Sequence, residues 1–250
     1  MNTEWRKLNN PPVVAAVFQI KYEKGSIKLD DFLKYDNIIR KSLKLRTDTL
    51  QSTLTVPKST TLGVGKVDVK GIQETRNTGF TYFSSNQKKK LTITEEDITF
   101  VSEEEYNGWD AFKADFLRYI ETFTPSLESV TIQRTSIRFV NQFTLSSFDD
   151  PSEYFNTVIS SNREDSIPYP LIKYGYSLTI DVAEGVYSII NHNVNNVTDK
   201  FVCIFDIDVL DKNNLIFDLP SINEVLERLR TVKNKIFFNN ITDKTLNLCD

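Results

Sequence analysis

Two arginines and an asparagine stand among the apolar residues of the segment Val130 to Leu145: Arg134, Arg138 and Asn141. Side chains of an extended chain alternate between faces. Arg134 and Arg138 therefore share one face, and Asn141 lies on the other with Phe139 and points inward. A guanidinium between apolar neighbours must replace lost water contacts with a carboxylate or carbonyls, and a buried amide needs partners of its own. The group reads first as a polar clamp within the fold, and second as an anion-binding patch for phosphate or an acidic partner segment.

A second set is acidic. Asp206 and Asp208 share one face of a strand-like run. With Asp181 they could gather as carboxylate metal ligands of the kind that two-metal phosphoryl chemistry uses. His192, the single histidine, stands in Ile189-Ile190-Asn191-His192-Asn193 and could add a general base. The plainer expectation is a polar face fading at a strand end, with no metal, and a partly exposed imidazole without a nucleophile beside it. Asp68-Val69-Lys70 has the Asp-x-Lys form of many metal-dependent nucleases, but no upstream acid is placed to join it. Gly63-x-Gly65 lacks the third glycine and helix start of a dinucleotide loop. Cys203 falls on an apolar strand face with Phe205, Ile207 and Val209, where a thiol is an inert small hydrophobe.

Composition narrows these choices. One histidine and two cysteines exclude multi-histidine metal sites, zinc-finger spacings and a disulfide scaffold. A net charge of −4 supplies no basic footprint, so nucleic acid is not favoured as a partner. Only 8 of 250 residues are glycine, too few to suggest glycine-rich phosphate loops, and no cofactor is expected. The N-terminal residues carry no signal-peptide pattern, and the longest uncharged apolar stretch, Pro11 to Ile20, is about half a bilayer span. The expectation is a cytoplasmic protein with no membrane association.

The elements that must position these residues follow from periodicity. Val13 to Tyr22 reads as a strand with Val14, Ala16, Phe18, Ile20 and Tyr22 on one face. Asp30 can cap a helix through Phe32, Tyr35, Ile38, Ile39, Ser42 and Leu43. Short strands are expected over 50–56, 64–70, 78–84 and 90–101, the last a hairpin through Thr94–Asp97. Trp109, Phe112, Phe116, Tyr119, Ile120 and Phe123 form the aromatic stripe of a long helix that Pro125 closes. The strand from Val130 to Leu145 changes its inward face between Ile132 and Ile137, which a bulge would explain. Asp150-Pro151-Ser152-Glu153 reads as a capping box opening a short helix through Ile159. Strands over 172–182, 186–193 and 200–209 follow. Ser221-Ile222-Asn223-Glu224 then opens a last helix with Val225, Leu226, Leu229, Val232 and Ile236 on its buried stripe.

The order strand, helix, several strands, long helix occurs twice, in 12–124 and 129–240. The expected fold is α+β, a mostly antiparallel sheet with helices packed on one face. It divides into two similar β-α-β(n)-α halves, 1–126 and 127–250, packed intimately as one body.

Four motifs occur in one order along nearly the whole chain: Pro11-Pro12-Val13-Val14-Ala15-Ala16-Val17-Phe18; Tyr106-x-Gly108-Trp109-x2-Phe112; Arg134-x3-Arg138-Phe139-x-Asn141; and Lys235-Ile236-Phe237-Phe238-x2-Ile241-Thr242. Together they resemble the sporadically distributed family of uncharacterised bacterial and archaeal proteins of about this size. This chain has Ala15 where such proteins usually carry Glu, so any pairing of that Glu with a strand arginine cannot exist here in that form. The resemblance implies an association with mobile-element or phage-related cassettes and brings no catalytic residues with it. With no nucleophile–base pair, the expectation is a non-enzymatic binding or accessory protein that acts with a protein partner or by self-association. A phosphodiesterase or nuclease using Asp181, Asp206 and Asp208, or a nucleic-acid-binding module, are the alternatives.

Overall fold

The computed structural model describes residues 5–55, 72–146, 151–157, 173–197 and 200–250, and of 50–55 and 72–76 the backbone alone. It is an α+β fold built on one antiparallel sheet. The strands are β1 (Val13–Tyr22), β2 (Leu45–Thr55), β3 (Ile72–Phe83), β4 (Lys89–Thr94), β5 (Asp97–Ser102), β6 (Thr131–Leu145), β7 (Lys173–Ala183), β8 (Val186–Val197), β9 (Lys200–Asp211) and β10 (Leu215–Ile216). The helices are α1 (Leu29–Leu33), α2 (Asp36–Ile39), α3 (Trp109–Leu127), α4 (Leu219–Asn240) and α5 (Asp243–Leu246). Strand order is β2-β3-β4-β5-β1-β6-β9-β8-β7, with β10 on β6. On either side of the central β1–β6 pair the chain starts at the centre, jumps to the edge and steps back inward.

Register sorts the side chains into two faces. Ala16, Phe18 and Ile20 stand opposite Phe139, Ile137 and Thr135, and these opposite Ile207, Val209 and Asp211 on β9. The two long helices touch rings on this face. Phe112 of α3 stacks 4.4 Å from Phe18 and lies 5.8 Å from both Phe100 and Phe139. Phe237 of α4 lies 6.5 Å from Phe143 and 6.4 Å from Phe205. Three of the four sequence motifs thus meet in one aromatic cluster, and their Phe and Trp residues make core.

Glu227 of α4 joins the helices by accepting from Trp109 Nε1 at 2.7 Å and from Lys113. Gly108 begins α3 at φ +100°, a conformation that an L side chain rarely adopts. The bulge expected in β6 is present: Lys21 pairs with Arg134 but Tyr22 with Ile132, so Gln133 is extra. Ile132 and Ile137, five residues apart, are both buried.

Four expectations need correction. The helix from Asp30 to Leu43 is two short turns, broken at Tyr35, whose hydroxyl is held 3.1 Å from Ser126 of α3. Pro125 does not close α3, which runs on to the buried Leu127. The helix after Pro151 is only a 3₁₀ turn, Pro151–Glu153. Its following backbone groups are bonded elsewhere: Asn156 N donates to Asn240 O at 2.8 Å, and Thr242 N and Thr245 Oγ1 donate to Tyr154 O at 3.0 and 2.7 Å. The cap of α4 is Asp218, which accepts from Ser221 N at 2.8 Å, so that helix starts before Ser221. The strand read over 64–70 lies outside the described residues. No helix among the described residues is long and apolar enough to cross a membrane.

Candidate functional site

The other face of the sheet is polar at its centre. Arg138 on β6 stands directly opposite Asp208 on β9 and reaches diagonally to Asp206. Its Nε and Nη2 donate to Asp206 Oδ1 and Oδ2 at 2.9 and 2.8 Å. This is the fork geometry that makes arginine–carboxylate pairs strong. Asn191 on β8 donates a further bond to Asp206 at 3.3 Å. The Asp206 side chain is 5 % exposed and that of Arg138 50 %, so the acid is held inside the sheet surface while the guanidinium meets solvent.

Arg134, one bulge from the strand's start, donates to Gln19 on β1. Gln19 in turn donates to Thr99 at 3.0 Å and to Asp97 on β5. A polar row therefore crosses five strands, β5-β1-β6-β9-β8. Among the described residues, two atoms within it are buried without a partner: Nε of Arg134 and Oδ1 of Asp208. Burial pushes the Asp208 carboxyl above the usual carboxylate range, against the pull of the Arg134 and Arg138 charges. Chemically, the row offers one free acceptor, one free donor and a half-exposed guanidinium.

The structure divides the sequence candidates between the faces. Arg134, Arg138, Asp206 and Asp208 come together. Asn141 lies on the apolar face, buried, donating to Phe205 O at 2.9 Å and Phe139 O at 3.4 Å, which is a structural amide. Asp181 shares the open face but sits exposed on the edge strand β7, opposite Tyr187. His192 is on the apolar face, fully buried rather than partly exposed, among Phe155, Tyr174, Tyr176 and Phe205. The alternation that puts Asn191 and Asp206 on the open face turns His192 and Phe205 to the other. The set Asp181, Asp206, Asp208 and His192 therefore does not assemble. Among the described residues no group of three or more His, Cys, Asp or Glu is disposed to hold a metal ion. Cys203 and Cys249 are free and buried, their thiols pushed up to about 12 and about 11 by burial. Asp68, Lys70, Gly63 and Gly65 lie outside the described residues. Ala15 is on the open face opposite Val140, and Arg138 takes Asp206 as its acid.

Sequence reasoning missed three polar residues, two of them in this row. Gln19 and Asn191 were visible only as polar residues alternating out of apolar strands. The third lies on the opposite, helix-covered face: Lys233 of α4, whose Nζ is 4.4 Å over the Phe139 ring, is pushed down to about 7 by burial and by Arg230.

His192 yields a pH prediction. Both ring nitrogens lack a partner among the described residues, and burial lowers the imidazole from its ordinary 6.5 to about 4. The unfolded chain therefore takes up the proton first, so stability is full above pH 6.5 and falls as pH drops towards about 4. At ~1.4 kcal/mol per pH unit the loss is roughly 3 kcal/mol. Urea midpoints at neutral and acid pH should show that loss for the native chain, and a correspondingly smaller one for His192→Leu.

Comparison of the chain with protein-family models, with curated proteins and with solved structures finds no significant match to any of them.

Proposed function

We propose that this protein is a cytoplasmic, non-enzymatic binding protein that receives a protein partner on the open sheet face at the β1–β6 seam. The observation that carries the reading is the Arg138–Asp206 pair set among half-buried aliphatic residues. Val17 stands opposite Arg138, Val140 opposite Asp206, and Ile189 opposite Asp208. An arginine held in one orientation and ringed by aliphatic side chains is the composition of a protein-interface hot spot. The charges of Arg134 and Arg138 are balanced by Asp206 and Asp208. A phosphate backbone, by contrast, calls for net positive charge. The phosphodiesterase reading loses its base, since His192 lies on the opposite face.

The same proposal treats the helices as one layer over the apolar face and the two halves as copies of one unit. The mirrored strand order about the antiparallel β1–β6 pair supports this, because a two-fold axis through the seam generates that arrangement. Membership of the sporadically distributed family is part of the proposal, supported by the meeting of Phe18, Trp109, Phe112 and Phe139 from three of its motifs.

A photoreactive phenylalanine in place of the exposed Gln142, on the open face, tests the reading in cells producing the protein; the same residue at the exposed Lys235 of α4 is the control. The expected result is a protein adduct at 142, none at 235, and loss of the adduct when Val17→Lys sets a like charge opposite Arg138. Nuclease-sensitive adducts, or metal-dependent phosphodiester hydrolysis lost in Asp208→Asn, would overturn it.

A further inference from the structure

We propose that Arg230 and Lys233 of α4, with Tyr106 of the segment before α3, form a binding site for a phosphate group where α4 meets the start of α3. The site lies on the helix-covered side of the sheet, away from the seam. Arg230 and Lys233 are three residues apart on α4 and so share one of its faces. The Arg230 Cζ lies 5.3 Å over the Trp109 ring and the Lys233 Nζ 4.4 Å over that of Phe139, and those two ring centroids are 6.4 Å apart. The Tyr106 ring meets Phe139 edge to face at 5.7 Å. The charge of Arg230 acts on both the Lys233 amine and the Tyr106 hydroxyl. Two cations and a phenol therefore gather on one aromatic floor.

Charge balance points to the occupant. Lys113, Arg230 and Lys233 stand at this corner, and among the described residues Glu227 is the one acid bonded to them: it takes Lys113 and, at 3.3 Å, Arg230. Asp110, exposed in the first turn of α3, acts on Tyr106 but not on Lys233. The corner therefore carries the excess of positive charge that the balanced seam lacks. A half-buried amine beside a second cation is unfavourable as an ion, which is why Lys233 is held down to about 7. An anion between the two offsets that repulsion and returns the proton to the amine. A phosphate group suits the donors: the guanidinium fork takes two of its oxygens, and the ammonium and the phenol share the third. Burial pushes Tyr106 up to about 12, so its hydroxyl keeps the proton it donates. The Arg230 side chain is 34 % exposed and marks the way in. Beside it a Cβ on Gly108 would meet nothing within 4 Å, so the start of α3 leaves room at the mouth.

Isothermal titration calorimetry of the full chain with sulfate tests the proposal, with ionic strength held constant by chloride. Sulfate is a tetrahedral dianion that does not titrate near neutrality, so any proton taken up comes from the protein. One sulfate per chain is expected, displaced by inorganic phosphate or by glycerol phosphate; the tighter of these two tells free phosphate from a phosphate ester. Lys233→Met and Arg230→Gln should each raise the dissociation constant at least about tenfold. Lys235→Met, which removes the same charge from the exposed face of α4, should leave it unchanged. At about pH 8, titrations in two buffers of different ionisation enthalpy should show uptake of close to one proton by the native chain and far less by Lys233→Met. Far-UV circular dichroism confirms that each variant is folded. A native chain that binds no sulfate beyond the chloride control overturns the proposal. So does binding that both Lys233→Met and Arg230→Gln leave intact, or acetate bound more tightly than sulfate.

Discussion

Arg138→Ala should destabilise the fold by about 3–4 kcal/mol, whereas Asp206→Ala should cost no more than about 1.5 kcal/mol. The asymmetry comes from where the two charges sit. The Asp206 side chain is 5 % exposed and takes two of its bonds from Arg138. Removing the guanidinium strands a buried carboxylate with only the Asn191 amide at 3.3 Å. Removing the carboxylate releases a half-exposed arginine to water and to Asp208 opposite. Replacing both by leucine should recover much of the loss, because no buried charge is then unpaired. Urea unfolding of the three variants decides it. An unchanged midpoint for Arg138→Ala would make this arginine a pure binding residue with no part in holding β6 to β9.

Phe112→Ala should cost about 3–5 kcal/mol, because a ring lost from a packed site leaves a cavity that its neighbours only partly fill. Phe112 is the ring on which the sheet centre and α3 converge: Phe18, Phe100, Tyr106 and Phe139 all lie within 6.5 Å of its centroid. Those rings come from β1, β5, β6 and the segment before α3, so the cavity would open where four parts of the chain meet. Phe112→Leu should cost less, since part of the volume is kept. A loss below about 1 kcal/mol for the alanine variant would mean that this stripe does not carry the core.

How much of this was legible beforehand depended on whether local pattern or distant register decided each feature. Period-two alternation was enough to turn Asn141 inward, to set Arg134 and Arg138 on one face, and to require a bulge between Ile132 and Ile137. The need of Arg138 for an acid was legible too. Its identity was not, because the partner is 68 residues away and is chosen by the register of β6 against β9. His192 shows the same division. Ile190, His192 and Val194 alternate onto one face, yet the imidazole was read as partly exposed at a strand end, because the rings that enclose it come from β7, β9 and the turn at Phe155. The capping pattern at Pro151 failed for a related reason. Its local chemistry favours a helix, and backbone bonds to Asn240, Thr242 and Thr245 at the far end of the chain override it.

The central claim is that the open sheet face, and not the helical side, is where a partner docks. Lysine acetylation with a water-soluble ester, compared between producing cells and the purified protein, reads this most directly. Lys21 and Lys90 lie on the open face by register, while Lys41 and Lys235 are exposed beyond α2 and on α4. The account predicts that Lys21 and Lys90 lose reactivity in cells while Lys41 and Lys235 keep it. Equal reactivity at all four positions in cells and in the pure protein would contradict it, as would protection confined to Lys41 and Lys235.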